Sequence, residues 1–441
     1  MATCVRRCRN FANVFYHAHD NILYQFAWVM ILKLRTPLLL ALLVTLSFAP
    51  PDVRARPEIL LPRTSLTADD LALIINDDDV QSKAVGEYYQ KARHIPATNI
   101  IHLHFPPGRH ALEKDEFQKL KTEIDRATPK RIQAYAVTWT DPYRVGCMSI
   151  TSALAFGFNE KYCSSQCSPT KPSAYFNSPS LYPAKNLKMR PAMMLAGKNF
   201  EQVKELIDRG VASDQSFPSG RAYLLSTTDT ARNTRAGDFE KTAKALRGVF
   251  QVEVLKTNAI TDRRDVLFYF TGLQQVPQLE TLRFLPGALA DHLTSSGGQL
   301  TDSVQMSSLR WLEAGATASY GTVVEPCAFP QKFPFPGIAM FYYATGASAI
   351  EAYWKSVAWP GQGVFIGEPL ARPFAPKLHE FEPGKFELKF FTPRKGQLLV
   401  DSAQSADGPF NPMSQQPLHR GLNVIRFAVS ETDVGFLRLR W

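Results

Sequence analysis

The chain has 441 residues, a formal charge of +10, 45% apolar and 20% charged residues. That length exceeds one ordinary hydrophobic core, so roughly two or three domains are expected, and the composition excludes a disordered or low-complexity chain. The positive surplus is not gathered into a Lys/Arg run with interleaved aromatics, which excludes a typical nucleic-acid-binding protein.

The first element in chain order is a leader. Met30 to Ala55 reads MILKLRTPLLLALLVTLSFAPPDVRA, with Lys33 and Arg35 before an apolar run from Pro37 to Phe48 and a small-residue cleavage pattern at 53–55. The run has signal-peptide length and is short for a membrane span. Export to the periplasm or the medium is therefore expected, with cleavage near Ala55 and no integral membrane span in the mature chain. A permanent N-terminal anchor is the alternative. Residues 1–29 lack this pattern and read as an over-extended start, with Met30 the better initiator. The segment 1–55 carries Arg6, Arg7, Arg9, Lys33, Arg35 and Arg54 against Asp20 and Asp52, so the mature chain is only mildly basic.

Cys4 and Cys8 leave with the leader, and Cys147, Cys163, Cys167 and Cys327 remain, an even set suited to an oxidising compartment. Cys163 and Cys167 sit in YCSSQC, close enough to bridge locally, which would leave Cys147 for Cys327. A metal site is the rival reading, but the spacing is not that of a zinc site and no His lies near Cys163. No metal is expected, and the sequence names no cofactor.

Beyond the leader, apolar runs alternate with amphipathic stretches. Strands are predicted over 70–77, 99–105 and 132–144, with helices over 81–95 and 113–127 between them. A βαβαβ order of this kind implies a mostly parallel sheet covered by helices. Helices over 197–212, 238–250, 306–314 and 348–357 and strands over 221–229, 265–272, 284–292, 315–327 and 363–370 continue the α/β pattern. The texture changes near Pro376: KFELKFF, QLLVDSA, LNVIRFAV and GFLRLRW alternate between turn residues. The expected organisation is an N-terminal α/β subdomain over 56–195 with a loop insertion at 156–190, a second α/β subdomain over 196–376, and a small antiparallel, sandwich-like β domain over 377–441.

In open parallel sheets, ligands bind beyond the carboxyl ends of the strands. Those ends carry Asp141 and Arg144, Asp229, Arg232 and Arg235, Thr271 and Gly272, Asp291 and His292, Glu325 and Cys327, and Gly367 and Glu368. All are expected to converge on one sheet edge. Asp141, Asp291, His292 and Glu325 are the candidate general acids and bases, or a carboxylate set for a cation. Arg144, Asp229 and Arg232 are candidate binding residues. His292 with Cys327 would make a thiolate–imidazole dyad if the sulfur were free. A peptide or polymer ligand is the expected kind of partner.

Several long segments resemble a family of exported bacterial proteins of unassigned function: LIINDDDVQSKAVGEYYQKARHIPATNIIHLHFP, VTWTDPYRVGCMSITSALAFGFN, FLPGALADHLTSSGG and QMSSLRWLEAGATASYGTVVEPC among them, over roughly residues 66–375. That family supplies no reaction. The segments LEAGATASYGTVVE (312–325) and VFIGEPLARPF (364–374) are more distantly similar to gingipain-type cysteine peptidases, which have a caspase-like fold. That resemblance implies a catalytic His after one strand and a Cys at the end of the next. By order these fall in YFTGLQQ (269–275), where Leu273 follows Gly272, and in ALADHL (288–293), where Asp291 and His292 stand. The resemblance thus implies the fold and the place of a cleft, and not the activity. It leaves three readings: a degenerate peptidase relative with a polar cleft, a binding or surface-assembly pseudoenzyme, or an active cysteine peptidase using His292 and Cys327.

Overall fold

A computed structural model describes residues 56–164, 167–429 and 434–441. The leader expected over 1–55 lies outside them. Ten strands form one sheet: β1 (Leu71–Asn76), β2 (Ile100–Leu103), β3 (Ala134–Val137), β4 (Ala192–Met194), β5 (Arg221–Ser226), β6 (Gln251–Lys256), β7 (Val266–Gly272), β8 (Phe284–Leu293), β9 (Ala318–Thr322) and β10 (Gly363–Gly367). Their order across the sheet is β6-β5-β7-β8-β9-β10-β4-β3-β1-β2. Every neighbouring pair is parallel except β9 with β10, where Ala318 faces Gly367 and Thr322 faces Gly363 in antiparallel register.

That single reversal has a large consequence. The carboxyl ends of β1 to β4 and β10 lie on one edge of the sheet, and those of β5 to β9 on the opposite edge. The expected convergence of all the strand-end residues on one edge is therefore corrected. Asp141 after β3 and Glu325 after β9 both follow carboxyl ends, but of oppositely directed strands, so they stand on opposite edges.

The strands are buried on both faces, as a helix-covered sheet requires. Alternate residues of β1 supply the two faces: Leu71, Leu73 and Ile75 join one cluster, Ala72 and Ile74 the other. The first face is covered by α1 (Val80–Arg93) and α4 (Phe200–Ser213), the second by α2 (Lys114–Ala127) and α3 (Ile150–Phe156). Local signals start these helices. The Asp79 carboxylate accepts from the Gln81 N–H, the Ser149 hydroxyl from the Ser152 N–H and the Asn199 side chain from the Gln202 N–H. The strands β4 and β6 escaped the sequence reading. β4 has three residues, and β6 is a partly exposed edge strand.

The β9/β10 joint is closed by buried charge. The Glu368 carboxylate, fully buried just past β10, accepts from Arg93 Nε at 3.0 Å, from Arg93 Nη2, from the Tyr89 hydroxyl at 2.6 Å and from the Leu370 N–H at 3.2 Å. Arg93 reaches on to Asp214 at 2.6 Å. The carboxyl arm lies so close to α4 that a Cβ at Gly210 would stand 2.5 Å from the Glu368 Cγ. One side chain thus ties α1, α4 and the reversed strand together.

The C-terminal part has two small sheets. β11 (Lys377–Glu382), β12 (Lys385–Thr392) and a later strand over Gly421–Ala428 form one; β13 (Gly396–Ala403), β14 (Asn411–Leu418) and Phe436–Arg440 form the other, joined by Glu58–Leu60 in parallel with the last strand. They enclose Leu388, Phe390, Leu398, Leu418 and Leu439. The segment Glu58–Leu60 therefore belongs to the C-terminal β layer. The β layer rests on the α/β body through Phe391, whose ring lies 4.9 Å from Phe374, 6.0 Å from Phe250 and 6.1 Å from Phe217. Among the described residues no helix is long and apolar enough to cross a membrane.

Arg93→Met would leave Glu368 buried without its guanidinium. Removing one partner of a buried pair costs roughly 3–5 kcal/mol, so the urea midpoint should fall accordingly. A loss under about 1 kcal/mol would show that this pair does not hold the joint.

Candidate functional site

Asp291 and His292 are consecutive residues of β8, so their side chains leave opposite faces of the sheet. Both are completely buried. Asp291 lies 2.7 Å from Arg235 Nη1, while the guanidinium donates to the Thr271 and Pro334 carbonyls at 2.6 and 3.0 Å. Burial raises the Asp291 carboxyl to about 6, against the pull of the Arg235 charge. On the other face, His292 Nδ1 accepts from the Trp311 indole N–H at 2.9 Å and Nε2 donates to the Met306 carbonyl at 3.0 Å. Burial lowers its imidazole to about 3, so it is neutral. The pair expected to bring an acid and a base to one substrate consists of two core residues facing apart, with neither open to solvent.

The loop after β8 closes over the place where a cleft was expected. The Thr322 hydroxyl donates to the Thr294 and Ser295 carbonyls at 3.0 and 3.1 Å, and the Gly298 N–H to the Thr322 carbonyl at 2.9 Å. Gly298 and Gly321 cross so tightly that a Cβ at Gly298 would lie 2.4 Å from the Gly321 carbonyl oxygen. Asp229 and Arg232 brace this edge. They pair at 3.0 Å, and Arg232 Nε donates to Thr294 Oγ1 at 3.0 Å, joining the ends of β5 and β8.

Glu325 is exposed and accepts from the Cys327 N–H at 2.7 Å, which holds the left-handed turn at Cys327 and Ala328. The four cysteines among the described residues are bridged, as Cys147–Cys163 and Cys167–Cys327. The expected pairing of Cys163 with Cys167 and Cys147 with Cys327 is corrected. The two cysteines nearest in sequence each find a partner in a different loop. The Cys327 sulfur is consumed in a bond to Cys167, and both His292 nitrogens are taken by Trp311 and Met306, so the expected dyad is absent.

Asp141 belongs to a different cluster. Its Oδ1 lies 3.2 Å from His110 Nδ1 and accepts from the Thr301 hydroxyl at 3.0 Å. Tyr143 stacks 5.9 Å from His110 and donates to Asp302 at 2.6 Å. Burial and the Asp302 contact push the Tyr143 phenol up. Arg144 lies beside this group with its buried Nε–H unpaired. A relay would need the hydroxyl and the carboxylate on opposite nitrogens of the imidazole. Here Thr301 and Asp141 both meet Nδ1, and Nε2 lies 3.9 Å from Asp302. The cluster clasps the returning loop to the end of β3 and has no nucleophile–base order. Among the described residues no group of three or more His, Cys, Asp or Glu side chains is placed to hold a metal ion.

A large concavity lies elsewhere, between α5 (Phe239–Ala245), the helix Pro336–Ala344 and the turn that enters β13. It is an open cleft of about 730 Å³. Phe335, Ile338 and Phe341 form its floor, and Arg394, Lys395 and Arg420 its rim. Arg235 closes the back, linking the cleft wall to the Asp291 pair. None of the rim residues was singled out by sequence reasoning. The adjacent cations of PRKG at 393–396 were the available signal, but only tertiary packing sets them against the aromatic helix.

No family model matches this chain, and no curated protein or solved structure matches it.

A non-reduced digest should yield peptides bridged as Cys147–Cys163 and Cys167–Cys327, with none of these four sulfurs alkylated in the native protein. A fast-reacting Cys327 would overturn the arrangement. The buried pair also gives a pH signature. His292 is held below its ordinary 6.5, so its contribution to stability is complete above 6.5 and is lost as pH falls towards 3. Asp291, raised from 3.8 to about 6, acts in the opposite sense: stability falls as pH rises between those values. His292→Gln should therefore flatten the rise of stability with pH between 4 and 6.5, as followed by urea unfolding. An unchanged slope would mean that His292 titrates normally.

Proposed function

We propose that this chain is an exported, degenerate relative of the gingipain-type peptidases, with the caspase-like frame kept and the hydrolytic pair lost. It acts by binding a ligand in the cleft between its α/β body and its C-terminal β layer. The observation that carries this reading is the cleft itself. About 730 Å³ with an aromatic floor falls inside the usual range of small-molecule sites, roughly 300–1,000 Å³. The buried, opposed Asp291 and His292 and the bridged Cys327 support the loss of peptidase chemistry. The two disulfides accord with an oxidising, extracytoplasmic compartment. A compact organic ligand fits this cleft better than the peptide or polymer expected from the sequence.

An environment-sensitive apolar dye, titrated into the mature protein, should bind saturably with one site per chain. Ile338→Trp, which fills the floor, should weaken that binding by about tenfold or more while leaving the circular dichroism spectrum unchanged. Peptide substrates should remain intact with or without reductant. Cleavage abolished by Cys327→Ser, or dye binding indifferent to Ile338→Trp, would sink the reading.

A further inference from the structure

The charge around the cleft is not balanced. Lys241 on its margin pairs with Asp238 at 3.4 Å. Among the described residues Arg394, Lys395 and Arg420 form no ion pair, although all three border the same apolar floor. Arg420 is anchored by donating from Nη2 to the Ala245 carbonyl, and its buried Nε–H has no acceptor. The Arg394 guanidinium stands 5.5 Å from the centre of the Phe341 ring, at the line where the aromatic floor meets the basic rim. Phe335, Ile338 and Phe341 are only partly buried, so the floor is apolar surface left open to water. Like charges gathered over exposed apolar surface are unfavourable in the free protein, and an anion seated among them relieves the repulsion. The same ligand would cover the floor with hydrocarbon.

We propose that the cleft takes a single apolar chain ending in an anionic head, with the chain lying on Phe335, Ile338 and Phe341 and the head held by Arg394, Lys395 and Arg420. This inference rests on the binding reading given above and names its ligand class. A carboxylate and a phosphate head share the chemistry that this rim recognises: guanidinium groups donate to both in forked pairs, and an ammonium adds a point charge. The apolar contribution is graded by length, because each further methylene removed from water strengthens binding about fourfold.

The test is calorimetric titration of the mature protein, below micelle-forming concentrations, with butyrate, octanoate, decanoate, dodecanoate, dodecyl phosphate and dodecan-1-ol. The side chains of Arg394 and Lys395 are exposed, so Arg394→Gln with Lys395→Gln removes rim charge without touching the core. Affinity is expected to climb from octanoate to dodecanoate with one site per chain, and butyrate should show none. The double variant should weaken dodecanoate about tenfold and dodecan-1-ol less than about twofold. Raised salt should reproduce the same selective loss. Tighter binding of dodecanoate than of dodecyl phosphate would identify a carboxylate head, and the reverse a phosphate head; either supports the proposal. Equal binding of dodecan-1-ol and dodecanoate, both indifferent to the double variant, would overturn the anionic head and leave the binding reading standing. Absence of binding by every chain-bearing compound would overturn both.

Discussion

The buried carboxylate of Glu368 is the interaction on which the rest of this molecule depends. It sits where the single antiparallel pair, β9 with β10, reverses the direction of a long parallel sheet. A carboxylate there is tolerable only because Arg93, Tyr89 and a backbone N–H surround it, and Arg93 in turn reaches Asp214. Arg93 and Tyr89 come from α1, and Asp214 caps the end of α4; both helices pack on one face of the sheet. The helix layer and the strand reversal are therefore set by the same side chain, and Gly210 supplies the room that side chain needs.

The reversal governs what the polar residues can do. The carboxyl ends of β1 to β4 and of β5 to β9 lie on opposite edges, so Asp141 and Arg144 are separated from Asp229, Arg232, Asp291, His292 and Glu325. Asp141 joins His110, Tyr143, Thr301 and Asp302 in a clasp that pins a returning loop. Asp229 and Arg232 brace the opposite edge. Asp291 and Arg235 neutralise each other within the core, and His292 completes its hydrogen bonds with Trp311 and Met306. Satisfied polar groups in a dry interior add rigidity and specificity of packing rather than chemistry. Among the described residues, the cations around the cleft, Arg394, Lys395 and Arg420, form no ion pair.

That cleft exists because two layers meet imperfectly. Phe391 stacks among Phe217, Phe250 and Phe374 and seats the C-terminal sheets on the body. Beyond this aromatic contact, the turn at Pro393–Lys395 overhangs α5 and the helix Pro336–Ala344, leaving open space between them. The wall at the back of this space is Arg235, so the buried pair with Asp291 stiffens the site without taking part in it.

The sequence by itself determined the α/β class, most of the helices and strands, the change to β texture after Pro376, and the presence of residues able to bridge in an oxidising compartment. These are local or compositional properties: apolar period, capping residues such as Asp79 and Asn199, and an even cysteine count. Short or edge strands such as β4 and β6 were not legible, because three residues or a half-exposed pattern carry too little periodic signal. Of the site residues, Asp141 was legible as a strand-end acid, while its partners His110 and Thr301 were not, since they meet it across 31 and 160 residues of chain. Only the tertiary structure decided the direction of β10, the pairing of the cysteines, the burial and partners of Asp291 and His292, and the meeting of Arg394, Lys395 and Arg420 with an aromatic helix. Those outcomes depend on contacts between segments far apart in the chain, and a local pattern of residues carries no record of which distant surface it will face.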